Sequence, residues 1–224
     1  MDSAWSSLAV SVYRPFVVIL NNNKKLKHRR QNNNMKTDII LCGVGGQGIL
    51  TIATIIGQAA MNENLYIKQA EVHGMSQRGG DVQSNLRLSS DPIDSDLIAG
   101  GRCDVIISME PMEALRYLPY LSKDGWIITA NTPFVNIPDY PDMDKINADL
   151  TKVKNVIAID IEQLAKDNGV PRSANVILLG AAQKAIGIDF DKLENAVRDV
   201  FARKGEAIVE ANLKALKIGK EAQK

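Results

Sequence analysis

From residue 39 onward, short apolar runs alternate with longer stretches in which apolar residues recur at helical spacing. The runs at 39–42, 65–70, 104–109, 125–130 and 156–159 have the length and composition of buried strands. Helical spacing predicts helices over 49–61, from 110 to about 121, and over 161–168, 173–186, 190–203 and 206–216. Residues 82–88 behave differently. Val82, Ser84, Leu86 and Leu88 fall on one face, with Gln83, Asn85 and Arg87 on the other. That alternation predicts a half-exposed strand, of a kind that runs antiparallel to its neighbours.

The punctuation agrees with these elements. Asp91 and Pro92 mark a turn, Glu110 and Pro111 open a helix, and Gly169 with Pro171 stop one. Ser173 and Asp189 stand where N-caps are needed, and Gly187 where a helix should end. The proline-rich residues 131–144 read as an irregular surface excursion. Strands alternating with helices predict an α/β fold: a single doubly wound, mostly parallel Rossmann-like sheet with a helical C-terminal tail. The expected domain covers 36–219.

Composition narrows the functional classes. At 224 residues there is room for one sizeable domain, and 27 Lys+Arg against 26 Asp+Glu leave a net charge of +1. No global charge favours nucleic acid or an anionic membrane as a partner. Cys42 and Cys103 have no CxxC companion, so this chain by itself offers neither an iron–sulfur nor a zinc ligand set. A reduced, cytoplasmic protein is the simplest reading.

Residues 1–34 have a different character. An apolar run at 16–20 precedes a stretch rich in Asn, Lys and Arg, the reverse of a secretory signal, and it is too short to span a bilayer. We expect 1–34 to be a disordered, dispensable extension, with Met35 a natural start.

The first candidate chemistry lies in the turn after the first strand. Gly43, Gly45 and Gly48 fit G-x-G-x-x-G, with Gly46 and Gln47 between them. In that pattern the glycines permit a tight turn, close approach of a ligand to backbone, and close helix–strand packing, while the helix start suits an anion. A dinucleotide site would also need an acid about 20 positions on, and Glu71, after the second strand, is the candidate. Close packing alone also explains the glycines.

A second loop follows, with His73, Gly74, Met75, Ser76, Gln77, Arg78, Gly79 and Gly80. An arginine beside two glycines can fork onto a carboxylate or phosphate while backbone comes close. Its alternative is an internal pair with Glu71 or Asp81. A third motif runs Glu110, Pro111, Met112, Glu113, Ala114, Leu115, Arg116.

In this order and spacing the three motifs closely resemble the gamma domain of 2-oxoacid:ferredoxin oxidoreductases. The resemblance extends from about Lys36 to the C-terminal helices. The His-Gly-Met-Ser-Gln-Arg-Gly-Gly form of the second loop is most similar to the small (beta) subunit branch of indolepyruvate ferredoxin oxidoreductases. The resemblance implies a subunit of a larger oxidoreductase, inactive alone, that takes part in oxidative decarboxylation of arylpyruvates to aryl-acetyl-CoA. It implies a large alpha subunit as partner, which carries thiamine diphosphate, Mg and [4Fe–4S] clusters. Coenzyme A would be co-substrate and ferredoxin the electron acceptor. The implied tasks of this chain are shaping the oligomer, covering the active-site mouth and helping to hold coenzyme A.

No catalytic residue is assigned to this chain, and His73 and Arg78 are the candidates. Cofactor or interface contact is expected at Gly43, Gly45, Gly46, Gln47 and Gly48, in the loop from His73 to Gly80, at Glu110, and at Asn175 where a late helix begins. For Glu110 the plain alternative is a helix cap, for Arg116 a pair with Glu113, and for Cys42 and Cys103 a place in the core. Three functional alternatives remain open: a free-standing NAD(P)-binding dehydrogenase domain, a gamma subunit of a pyruvate or 2-oxoglutarate ferredoxin oxidoreductase, and a pure interaction module.

Overall fold

The computed structural model describes residues 35–73 and 80–223. The expected extension 1–34 and the loop residues Gly74, Met75, Ser76, Gln77, Arg78 and Gly79 lie outside them.

One six-stranded sheet organises the chain. Its strands are β1 (Lys36–Val44), β2 (Tyr66–His73), β3 (Asp81–Ser89), β4 (Cys103–Ser108), β5 (Leu121–Ala130) and β6 (Val156–Ile159). They lie side by side in the order β2-β3-β1-β4-β5-β6. β1 pairs parallel with β4, β4 with β5, and β5 with β6, whereas β3 is antiparallel to both β1 and β2. The sheet is therefore mostly parallel, as expected.

Helices cover both faces, which makes the fold doubly wound. Ile39 and Leu41 of β1 enter a core with α1 (Ile49–Asn62), α4 (Ile161–Asp167), α5 (Ala174–Ile186), α6 (Phe190–Phe201) and α7 (Glu206–Glu221). Ile40 and Cys42, pointing the other way, meet α2 (Pro111–Arg116) and α3 (Met143–Leu150) through Ala114, Ile146 and Leu150. That division follows from the period-2 geometry of a strand buried on both sides. In the helical tail, α6 packs on α1 and α7 on α5. No helix among the described residues is long and apolar enough to cross a membrane.

Three sequence expectations are corrected. β3 is not half-exposed: it lies between β2 and β1, and its polar face is covered too. Asn85 accepts a hydrogen bond from Ile98 N–H at 3.4 Å, and Arg87 donates to the carbonyls of Ser95 and Leu97. Arg87 also forks onto the buried Asp38 of β1 (Nε to Oδ1, 2.7 Å), and Lys36 joins the same carboxylate at 2.7 Å. Second, the helix opened by Glu110 stops at Arg116 rather than near 121. A short 3₁₀ turn containing Pro119 follows, and Leu121 already pairs with Cys103 as β5. Third, α3 has no counterpart in the predicted elements.

Candidate functional site

The strand order reverses at β1. The chain leaves it by way of α1 toward β2 on one side, while β4, β5 and β6 extend the sheet on the other. In open α/β sheets the crevice beyond the carboxyl ends at such a switch point is where ligands bind. Here that crevice has a volume of about 270 Å³ and is lined by, among others, Gly46, Gln47, Thr132, Phe134, Arg172 and Asn175.

Each wall is built locally. Gly43 stands one rung before the end of β1, and a Cβ there would lie 2.8 Å from Gln47 Oε1, 2.9 Å from Ile49 Cδ1 and 3.0 Å from Met109 Cβ. This first glycine is required by packing. Gly46 has φ +102° with open space where a Cβ would be, so its demand is conformational and its face is left free. Gln47 then bridges the switch point: Oε1 accepts from Val44 N–H at 2.7 Å, and Nε2 donates to the Met109 carbonyl at 3.2 Å. One amide thus fixes the ends of β1 and β4 relative to each other.

Gly48 caps α1 with φ +85°. It makes room for Asn175, whose Nδ2 donates to the Gly48 carbonyl at 3.1 Å while its Oδ1 accepts from Val176 N–H at 3.0 Å. Both ends of the Asn175 amide are engaged, so this residue braces the start of α5 against the glycine turn. Ser173 holds the N-cap position through its backbone carbonyl, which accepts from Val176 and Ile177, and its side chain makes no capping bond. Arg172 stands just before that helix and on the crevice wall. A guanidinium, a turn of exposed backbone and helix N-termini at α1 and α5 favour an anion, with the Glu162 carboxylate on the same lining opposing them.

Glu110 is fully buried. Its Oε2 accepts from Glu113 N–H at 2.9 Å, the expected helix cap, and Oε1 accepts from Phe134 N–H at 3.3 Å and from the Tyr140 hydroxyl. Burial, and then the hydrogen bond to this carboxylate, push the Tyr140 hydroxyl well above its ordinary pKa, so it remains a proton donor. Glu110 therefore holds two points of the irregular segment 131–142 that forms one lip of the crevice. Glu113 is buried as well and forks onto Arg116, with Nε to Oε2 at 2.8 Å and Nη2 to Oε1 at 3.1 Å.

The second sequence motif reaches the same edge of the sheet. His73 is the last residue of β2 and shares a rung with Val82 of β3 and, beyond it, Gly43 of β1. Gly80 returns the chain to β3, and its carbonyl accepts from Gly45 N–H at 2.8 Å. The glycine turn and the base of the His73–Gly80 loop are thus joined directly.

Glu71 is not placed for a ribose. It lies inside β2 opposite Ser84, and the antiparallel β3 separates β2 from β1, about 10 Å away at ordinary strand spacing. Cys42 and Cys103 are buried core residues, as expected. Burial pushes both thiols up, that of Cys103 to about 12. Among the described residues no group of three or more His, Cys, Asp or Glu side chains could hold a metal ion.

Sequence reasoning missed Arg172, Thr132, Phe134 and Tyr140. A cation directly before a helix start was a usable signal for Arg172. The lip residues gave none, because their place depends on a carboxylate distant in sequence.

The fold and the crevice define a Rossmann-like α/β protein whose ligand edge carries an anion-suited turn and no assembled catalytic group among the described residues. The family described as pyruvate ferredoxin/flavodoxin oxidoreductase matches residues 38–222, and this chain belongs to it. The indolepyruvate oxidoreductase subunit IorB of Archaeoglobus fulgidus is 38% identical over 195 residues, covering 83% of this chain and 94% of that protein. Among solved structures, pyruvate oxidoreductase subunit PORC of Thermotoga maritima aligns with a TM-score of 0.63 at 21% identity, over 83% of this chain and 96% of that one. A 2-oxoglutarate:ferredoxin oxidoreductase of Magnetococcus marinus, with 2-oxoglutarate, coenzyme A and succinyl-CoA bound, aligns with a TM-score of 0.66 at 22% identity. That alignment covers 85% of this chain and 31% of the other. At these identities the two structures establish the fold.

Proposed function

We propose that this chain is the small subunit of an indolepyruvate-type 2-oxoacid:ferredoxin oxidoreductase, which forms aryl-acetyl-CoA and carbon dioxide and passes electrons to ferredoxin. The observation that carries the reading is the 38% identity to an IorB subunit across 94% of that protein's length. Thiamine diphosphate, Mg and [4Fe–4S] clusters belong to a large partner subunit in this reading. Both cysteines of this chain are buried in strands, and among the described residues no three His, Cys, Asp or Glu side chains converge, which accords with placing the clusters on the partner.

What this chain contributes is a shaped, anion-suited edge. Gly46, Gln47, Arg172 and Asn175 line a crevice suited to a phosphate group, and in this reading it takes one from the co-substrate coenzyme A. The base of the second loop is fixed at the same edge by the Gly45 N–H bond to the Gly80 carbonyl, and the role proposed for Arg78, which lies outside the described residues, is contact with a carboxylate or phosphate beyond this domain. The same reading places the complex in the cytoplasm.

The test is anaerobic co-purification of the tagged chain, followed by reduction of a viologen dye with indolepyruvate and coenzyme A. A large, iron-bearing, thiamine-dependent partner, with turnover only when both chains are present, is expected. A chain that elutes alone and is stabilised by NAD(P) but not by coenzyme A overturns the proposal.

A further inference from the structure

The two edges of the sheet are built differently. Among the described residues, β6 closes one side with four residues, Val156–Ile159, and β2 closes the other with eight, Tyr66–His73. A short edge offers little backbone to another strand, whereas a long, regular one is a template for a further chain. β2 is regular: it contains no proline, and its register with β3 runs unbroken from Tyr66 opposite Ser89 to His73 opposite Val82. The lysine that could guard this edge is engaged elsewhere, since Lys68 Nζ donates to the Asp94 carbonyl at 2.7 Å.

The edge is also apolar where it is most exposed. Tyr66 is 37% and Val72 47% exposed, and the alternation of a strand puts both on one side of the sheet. Leu97, 59% exposed, stands on that same side. Its loop is held there by Arg87, which donates to the Leu97 carbonyl, and by Asn85, which accepts from Ile98 N–H. Arg87 and Asn85 lie directly opposite Lys68 and Ala70 of β2.

The sequence of β2 is complementary to itself. Two such strands joined antiparallel about a two-fold axis normal to the sheet keep each residue on its own side, so positions of like parity face each other. An axis at Lys68 sets lysine against lysine, and one at Glu71 sets carboxylate against carboxylate. An axis at Ala70 puts Lys68 against Val72 and leaves Tyr66 without a partner in the strand. An axis at Gln69 removes these conflicts: Tyr66 meets Val72, Ile67 meets Glu71, and Lys68 meets Ala70. No like charges then face each other, and the two exposed apolar residues cover one another on both sides of the axis. We propose that β2 is the contact between two copies of this chain, paired antiparallel about Gln69 into one sheet that runs through both.

This pairing turns the second copy end for end. β2 runs in the same direction as β1, because β3 is antiparallel to both, so His73 lies at the crevice end of the sheet. The two crevices therefore open at opposite edges of the joined sheet, and each keeps its own mouth. The inference stands independently of the function proposed above.

Sedimentation of the purified full-length chain, alone and in whatever complex it is recovered with, reads the copy number, and two copies are expected in both. Val72→Lys sets a charge against Tyr66 of the second copy and should raise the dissociation constant at least tenfold with an unchanged circular dichroism spectrum. Gln69→Cys brings two thiols to the axis, where directly opposite Cα atoms stand about 4.5–5.5 Å apart, within disulfide reach. Mild oxidation should convert that variant to a covalent dimer, while Cys42 and Cys103, both buried, stay silent. Ile208→Cys, at an exposed position on α7, is the control and should not cross-link. A single copy in both preparations overturns the proposal. So does a dimer that Val72→Lys leaves intact and Gln69→Cys does not link. Loss of a different subunit from the Val72→Lys complex, with no dimer of the unchanged chain, would give the edge to another protein and overturn it as well. Should Val72→Lys misfold, the Gln69→Cys cross-link decides alone.

Discussion

Asn175 occupies the space that a side chain on Gly48 would need. A Cβ on Gly48 would lie 2.6 Å from Asn175 Nδ2, and the amide there donates to the Gly48 carbonyl at 3.1 Å. The two residues are the joint between the glycine turn and the helix that closes the crevice.

Gly48→Ala combines a left-handed backbone at φ +85° with displacement of that amide. It should cost about 1–2 kcal/mol and move Asn175 out of the crevice wall. Asn175→Ala loses only the brace, about 1 kcal/mol. Urea melts of the isolated subunit check both. Equal costs would show that the Gly48 backbone is not strained.

The tail is joined even more closely. A Cβ on Gly180 of α5 would sit 2.1 Å from the Leu216 carbonyl, and one on Gly219 of α7 would sit 1.8 Å from that of Ile177. Neither helix can yield without parting from the other. Gly180→Ala and Gly219→Ala should each destabilise by ~3 kcal/mol or more. Gly57→Ala, mid-helix with nothing within 4 Å, should stabilise by about 0.5–1 kcal/mol. Thermal unfolding of the three variants tests the contrast.

Asp38 makes stability depend on acid. Burial alone would raise its pKa, but the Arg87 fork and Lys36 outweigh that and hold the carboxyl below its usual value. A depressed folded-state pKa contributes stability that is present above the unfolded value, near ~4, and is lost as pH falls through the folded one. Denaturant midpoints should therefore drop below about pH 4, and less so in Asp38→Asn. Arg87→Met, which leaves the buried carboxylate with Lys36 alone, should cost ~3 kcal/mol at neutral pH.

Neither thiol should react with a disulfide reagent at pH 8 in the folded subunit, because burial keeps both protonated and inaccessible. Both should titrate on unfolding. Rapid labelling of Cys42 or Cys103 in native buffer would contradict the packing described here.

A chain starting at Met35 should fold and assemble like the full-length chain. Met35 already accepts from Ser90 N–H at 2.9 Å and packs against the core at the head of β1. Comparison of melting temperature and partner recovery for the two chains decides it, and a loss of either would give residues 1–34 a role.

What could be read from the sequence is what depends on neighbours along the chain. The β1–turn–α1 unit was legible because strand, glycines and helix follow one another. Glu110 was legible as a helix cap for the same reason, whereas its hold on Phe134 and Tyr140 was not. The premature end of α2 was hidden because residues 112–121 keep helical spacing, and only pairing of Leu121 with Cys103 converts their end to strand. The polar face of β3 looked solvent-exposed because nothing near Asn85 and Arg87 announces Ile98 or Asp38 as partners.

The brace between Gly48 and Asn175 also sets a timetable for synthesis. The crevice draws on the first βα turn, on the ends of β4 and β5, and on the start of α5. Its earliest wall must therefore wait for more than half the chain to leave the ribosome, and such non-local closure is slow compared with forming any one helix. A product interrupted before Asn175 can build β1 and its turn but cannot brace them. It would offer a partner subunit an unfinished edge.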